Sequence, residues 1–259
     1  MRHITPMKCL ALLPALLLSV GGAAVAQEKS VNPGINDSYK EPDPGEFRKR
    51  FETESREVFA NRARIVAAAK VKPGMAVADV GAGTGLFTRL FAKAVGPEGK
   101  VYAVDIAENF LRHIEKTAAE GGIGNVETVL AAADSANLPP GSVDLAFIAD
   151  TYHHFEFPQK TMASIRRALR PGGRVVVVDF HRIEGVSSEW VLNHVRAGQE
   201  VFRGEIEAAG FRLVEEPKFL KENYYMTFEK APQRDEKPPE GRGDGDKCGT
   251  EAEKGTDGR

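Results

Sequence analysis

The chain has 259 residues, 42% of them hydrophobic, with 35 basic and 37 acidic side chains and a formal net charge of −2. That balance argues against a nucleic-acid partner or an anionic membrane surface, both of which attract bulk positive charge. Two cysteines, Cys9 and Cys248, are too few for a disulfide framework, so stability must come from core size.

Residues 1–26 read as a secretory signal peptide. Arg2 and Lys8 form a basic start, Cys9 to Val20 an apolar core, and Gly21-Gly-Ala-Ala-Val-Ala26 a small-residue cleavage site. The apolar run is too short to span a bilayer, and Cys9 precedes it, so it is not placed for lipid attachment. Cleavage after Ala26 predicts an exported protein, periplasmic or extracellular, with no stable membrane insertion once the signal is gone. Residues 27–44 are polar and punctuated by proline, and read as a linker. Residues 231–259 are charged and rich in Gly and Pro, a composition that cannot bury enough surface to order itself, and predict a disordered tail. Residues 45–230 remain as one domain with room for a full core.

Within that domain, Pro44 to Lys70 predicts one or two helices that cap a ligand site. Val77-Ala-Asp-Val-Gly-Ala-Gly-Thr-Gly85 is a short strand carrying Asp79 that breaks into three glycines. The helix it opens places Leu86, Phe87, Leu90, Phe91 and Ala94 on one face. Lys100 to Ile106 is a second strand, reaching Asp105 near its end, and Phe110, Leu111, Ile114 and Ala118 form the next helical face. Val126 to Ala133 leads into Asp134-Ser135, and Val143 to Asp150 is a fourth strand. Met162, Ile165 and Leu169 mark a helix, after which Leu169-Arg-Pro-Gly-Gly-Arg turns into a fifth strand ending at Asp179. Helices over 188–197 and 200–209 precede two final strands, from Phe211 and from Asn223. Nearly continuous apolar strands alternating with amphipathic helices predict a doubly wound, Rossmann-like α/β sheet covered on both faces.

Glycines after the first strand let a ligand approach bare backbone, beside the unpaired N–H groups of a helix start. A dinucleotide fold would read G-x-G-x-x-G; here Leu86 stands where the third glycine would fall. The pattern resembles motif I of the class I S-adenosylmethionine-dependent methyltransferases, and the later motifs follow at that family's spacing from about Phe51 to Lys230. The overall pattern is most similar to the ubiquinone/menaquinone C-methyltransferase and small-molecule methyltransferase group. The resemblance implies a seven-stranded, mostly parallel sheet with an antiparallel last strand, and S-adenosyl-L-methionine as cofactor. It implies a cofactor site formed by Asp79, Gly81, Ala82, Gly83, Thr84 and Gly85, with Asp105 and Ile106 from the second strand end. Asp105 would hold the ribose hydroxyls, Asp134 and Ser135 the adenine, and Asp150 would close the fourth strand. Each also has a plainer role open to it: Gly81 to Gly85 as a tight turn, Asp105 as a helix cap, Asp134 as a turn cap.

Asp150-Thr-Tyr-His-His-Phe155 follows the fourth strand, where ligands of open α/β sheets bind. His153 or His154 is a candidate general base, and Tyr152 a candidate pocket wall. The sequence does not choose between the two histidines, and structural packing of either is equally open. Asp150, His153, His154, Asp179 and His181 are metal-capable, but no fixed metal spacing is present and no metal is assigned. Trp190, His194 and Arg196 lie on a helix read as amphipathic packing or a substrate wall. The expected activity is methyl transfer to an O, N or C nucleophile of a small molecule. A protein carboxylate or isoaspartyl acceptor, and a non-catalytic exported binding module, stand as alternatives.

Overall fold

The computed structural model describes residues 27–231. The expected signal segment, and all but the first residue of the expected tail, lie outside the described residues. Three helices, α1 (Pro44–Phe51), α2 (Glu57–Ala60) and α3 (Arg62–Ala68), precede the sheet, where one or two were expected. Asp43 caps α1 by accepting from the N–H groups of Gly45 and Glu46, and Pro44 is fixed for a first helical turn. Alternation then begins: β1 (Ala76–Val80), α4 (Leu86–Val95), β2 (Lys100–Asp105), α5 (Glu108–Glu120) and β3 (Val126–Leu130). It continues through β4 (Val143–Ala149), α6 (Pro158–Ala168), β5 (Leu169–Phe180), α7 (Glu189–His194) and α8 (Gln199–Ala208). The chain closes with β6 (Phe211–Glu215) and β7 (Asn223–Lys230).

The seven strands run in the order β3-β2-β1-β4-β5-β7-β6, and only β7 is antiparallel to its neighbours. The side-chain period of two sends alternate strand residues into two layers. Val77, Val101, Phe147 and Val176 pack on one side with Ile65 of α3 and Phe87 and Phe91 of α4. Ala78, Val104, Ile148 and Val177 pack on the other with Met162 and Ile165 of α6 and Phe202 and Ile206 of α8. The turn expected before the fifth strand is absorbed into β5 as an irregularity, where the register on β4 jumps from Val143–Leu169 to Leu145–Arg174. Among the described residues no helix is long and apolar enough to cross a membrane.

β1 pairs in parallel with both β2 and β4, so strand order reverses there and a crevice opens beyond the carboxyl ends. Residues 27–44 are not a free linker. Val31 N–H donates to the Glu156 carbonyl at 2.9 Å and the Asn36 side chain to the His154 carbonyl at 3.1 Å. Tyr39 packs on Phe47, Phe110 and His154. The segment thus folds across the crevice as a wall, because the three ring contacts of Tyr39 with the domain offset the ordering that its polar composition disfavours.

Candidate active site

A cavity of about 440 Å³ occupies the crevice, floored by the ends of β1, β2 and β4 and roofed by Tyr39, Phe51 and Arg56. The glycines build its floor. Gly81 and Gly85 adopt φ of +75° and +78°, which L side chains rarely tolerate. Space forbids a side chain as well: a Cβ on Gly81 would lie 2.2 Å from Thr151 Cγ2, and one on Gly85 2.8 Å from Ile114 Cγ1. The N–H groups of Gly81 and Ala82 both donate to the Val104 carbonyl, tying the loop to β2.

Three buried carboxylates face the cavity. Asp105 accepts from the N–H of Gly83 at 2.8 Å through Oδ2 and from that of Ala107 at 2.9 Å through Oδ1, leaving each oxygen a further lone pair. Burial outweighs those bonds and raises its pKa to about 6. Asp79 accepts from the Thr88 hydroxyl at 2.6 Å and is pushed up to about 7, again chiefly by burial. Asp150 sits in the left-handed region at φ +48°, accepts from the Arg56 guanidinium and from Asn223 Nδ2, and is raised by burial to about 6. Desolvated carboxylates of this kind suit a cationic ligand, whose charge restores what burial removes.

At the other end, His153 and His154 occupy a short 3₁₀ turn over Tyr152–His154. His153 is 1% exposed, and its Nδ1 lies 2.7 Å from Oδ1 of the fully buried Asp179. That carboxylate also accepts from the N–H groups of His153 and Phe180. It therefore holds a proton on Nδ1 and leaves Nε2, which has no partner among the described residues, as a lone-pair acceptor. His154 differs. Its Nε2 lies 3.3 Å from His194 Nε2, and burial pushes its pKa down to about 2, so it stays neutral across the physiological range. Phe155, Phe180 and Trp190 complete this end.

The expected site residues divide. Asp79, Gly81, Ala82, Gly83, Thr84, Asp105, Ile106, Ser135, Asp150, His153 and His154 all border the cavity. Gly85 stands just behind it, as the residue before α4. Two placements are corrections. Tyr152 is fully buried and turns away from the cavity onto Phe155 and Phe202, because the tight turn sends it and His153 to opposite sides. Asp134 is half-exposed and pairs with Lys160 at 3.3 Å, while its neighbours Ala132, Ala133 and Ser135 border the cavity. His181 is also apart, against Tyr224, while His194 joins the other two imidazoles.

Sequence reasoning missed a brace on the loop. Glu52 Oε1 accepts from the Thr84 hydroxyl at 2.9 Å and from Arg89 at 2.8 Å, and Arg89 also donates to the Thr84 carbonyl. Glu57 accepts from three successive N–H groups, those of Lys221, Glu222 and Asn223, which sets Asn223 against Asp150. Glu52 closes α1 and Glu57 opens α2, but nothing local says which partners either meets.

A family model described as a methyltransferase domain matches residues 71–232. A ubiquinone/menaquinone biosynthesis C-methyltransferase of Burkholderia vietnamiensis (strain G4 / LMG 22486) is 35% identical over 122 residues, covering 47% of this chain and 50% of that protein. A relative of the same description from Burkholderia multivorans gives the same figures. The chain thus spans about half the length of the curated relatives it matches. A crystal structure of an S-adenosylmethionine-dependent methyltransferase from Aquifex aeolicus superposes with a TM-score of 0.65 at 26% identity, covering 73% of this chain and 98% of that one. The [4+2]-cyclase SpnF superposes at 0.57 with 18% identity, over 66% of this chain and 81% of that one, a likeness of fold alone.

Proposed function

The chain belongs to the methyltransferase domain family, and from that premise we propose that it transfers the methyl group of S-adenosylmethionine to a nucleophile on a small organic molecule. The observation that carries this reading is one cavity with two unlike ends. A glycine floor with buried carboxylates lies at one, and an Asp-oriented imidazole with a free lone pair lies at the other.

The residues fit the cofactor. Asp105 has two lone pairs left for two ribose hydroxyls, in charge-assisted bonds. Gly83 exposes bare backbone beside it, and the apolar side chain of Ile106 borders the same space. Asp79, and Asp150 beside Arg56, border the space in which a cationic ligand would favour their ionised forms. Bound there, S-adenosylmethionine supplies a methyl carbon activated by its sulfonium for displacement. The protein's part is to orient the acceptor and receive its proton. His153 Nε2 takes that proton as the acceptor's lone pair forms the new bond to the methyl carbon. Asp179 stabilises the resulting imidazolium. His154, held neutral, is a wall and not a base. Tyr39, Phe155, Phe180 and Trp190 make an aromatic lining that suits a flat, partly apolar acceptor, such as a phenol or quinol.

The test is methyl transfer from labelled S-adenosylmethionine to a panel of phenols, quinols, thiols and acidic-carbon compounds, with release of S-adenosylhomocysteine as the readout. Acceptor-dependent release is expected. Tight cofactor binding with no release on any small acceptor, but labelling of added protein, would replace the small-molecule reading.

A further inference from the structure

Three imidazoles from two separate elements converge at the acceptor end. One ring nitrogen from each of His153, His154 and His194 lies within 4.8 Å of the other two. His154 Nε2 and His194 Nε2 are 3.3 Å apart. On a tetrahedral zinc ion with Zn–N of about 2.0–2.1 Å, two imidazole nitrogens stand about 3.4 Å apart. The closest pair therefore already has that spacing, and the third nitrogen is at most about 1.4 Å beyond it, within reach of a small side-chain adjustment.

The surroundings suit an ion. Asp179 holds His153 Nδ1 at 2.7 Å and so leaves Nε2, which has no partner among the described residues, open to a ligand. A carboxylate behind a histidine is the common support of a metal ligand, fixing its tautomer and raising its basicity. The other rings are held as well. Trp190 stacks on His194 with ring centroids 4.7 Å apart, and Tyr39 meets His154 edge-on at 5.1 Å. Three nitrogen donors with no carboxylate among them suit zinc, cobalt, nickel or copper, not the oxygen-seeking magnesium or calcium. All three border the cavity, so a fourth coordination position opens onto it.

We propose that His153, His154 and His194 form a three-histidine site for a divalent transition-metal ion at the acceptor end of the cavity. The ion takes the lone pair that in the metal-free protein receives the acceptor's proton. The two uses of His153 are exclusive. Metal binding itself does not depend on the methyl-transfer reading.

The experiment uses the full chain, freed of metal by a chelator and titrated with Co²⁺ and then Zn²⁺. One ion per chain is expected, with the strong visible absorption of four-coordinate Co²⁺, bleached as Zn²⁺ displaces it. His194→Ala, at a partly exposed position, should weaken Co²⁺ binding at least about tenfold, and Asp179→Asn by about 10–100-fold through loss of support. Calorimetry with S-adenosylmethionine should give the same affinity for wild type and His194→Ala, which separates this site from the cofactor end. Absence of the four-coordinate Co²⁺ spectrum in wild type overturns the proposal. So does undiminished binding in a His154→Ala/His194→Ala variant with native circular dichroism.

Discussion

Replacing Asp105 by Ala removes from the cavity a carboxylate whose oxygens are already steadied by the N–H groups of Gly83 and Ala107, at 2.8 and 2.9 Å. What remains free for a ligand is one lone pair per oxygen. Hydrogen bonds to a charged acceptor contribute ~1.5–3 kcal/mol each. Losing two should therefore cost at least ~3 kcal/mol of binding, a rise in Kd on the order of 100-fold. The same change strands two N–H groups, at ~1–3 kcal/mol of stability each if they stay dry, so melting must be recorded beside affinity. pH supplies an independent handle. Burial raises Asp105 to about 6 and Asp79 to about 7. Both exceed the unfolded value of 3.8, so protonating these groups favours the folded state, and the stability they contribute rises as pH falls. Cofactor affinity should move the other way, because the ribose contact needs the ionised acid. In wild type it should begin to weaken through pH 7 and fall more steeply below about 6, by up to about tenfold per pH unit for each proton taken up. In Asp105→Ala the steeper portion should be missing. Isothermal calorimetry with S-adenosylmethionine measures both. An unchanged Kd near neutral pH in a variant that melts cooperatively would refute the assignment of Asp105 to the ribose.

In chelator-treated protein, His153→Gln should lower the methylation rate by ~10²–10⁴-fold with cofactor affinity intact, whereas His154→Gln should cost far less. Equal losses at both positions would mean that neither is the base, and initial rates on the best acceptor settle it. Gly81→Ala should destabilise the fold by ~2–5 kcal/mol, adding left-handed strain to a clash with Thr151, as read from a denaturant midpoint. Tyr152→Phe should leave kcat and KM within about twofold of wild type, since its ring lies in the core away from the cavity; a large fall in kcat would return it to the reacting groups. The proposed leader predicts a mature N-terminus at Gln27, and mass spectrometry of protein from its native host finding Met1 or Met7 would count against export.

The sheet and the glycine end of the cavity were legible in the sequence because their signals are local. Val77 to Gly85 carries its own instruction: apolar residues buried on both faces make a parallel strand, and glycines at three positions of positive φ make the turn. Asp79 and Asp105 were placed by their position at strand ends, which the parallel register carries to one edge of the sheet. The histidine end depended on side-chain direction and long-range packing, which have no period. Neighbours in the Tyr152–His154 turn point different ways, so Tyr152 enters the core while His153 meets Asp179, 26 residues on. Asp134 had the right spacing, but its side chain found Lys160 on α6. Polar composition made residues 27–44 read as a linker, and only the site for Tyr39 between Phe47, Phe110 and His154 gives that segment a fixed place. His194 joins the two histidines of the turn from 40 residues away. That contact exists because α7 packs over the end of β5, setting Trp190 against Phe180 and bringing the last turn of the helix over the cavity. Strand and helix periods fixed the floor of the site; tertiary packing alone decided which side chains face each other above it.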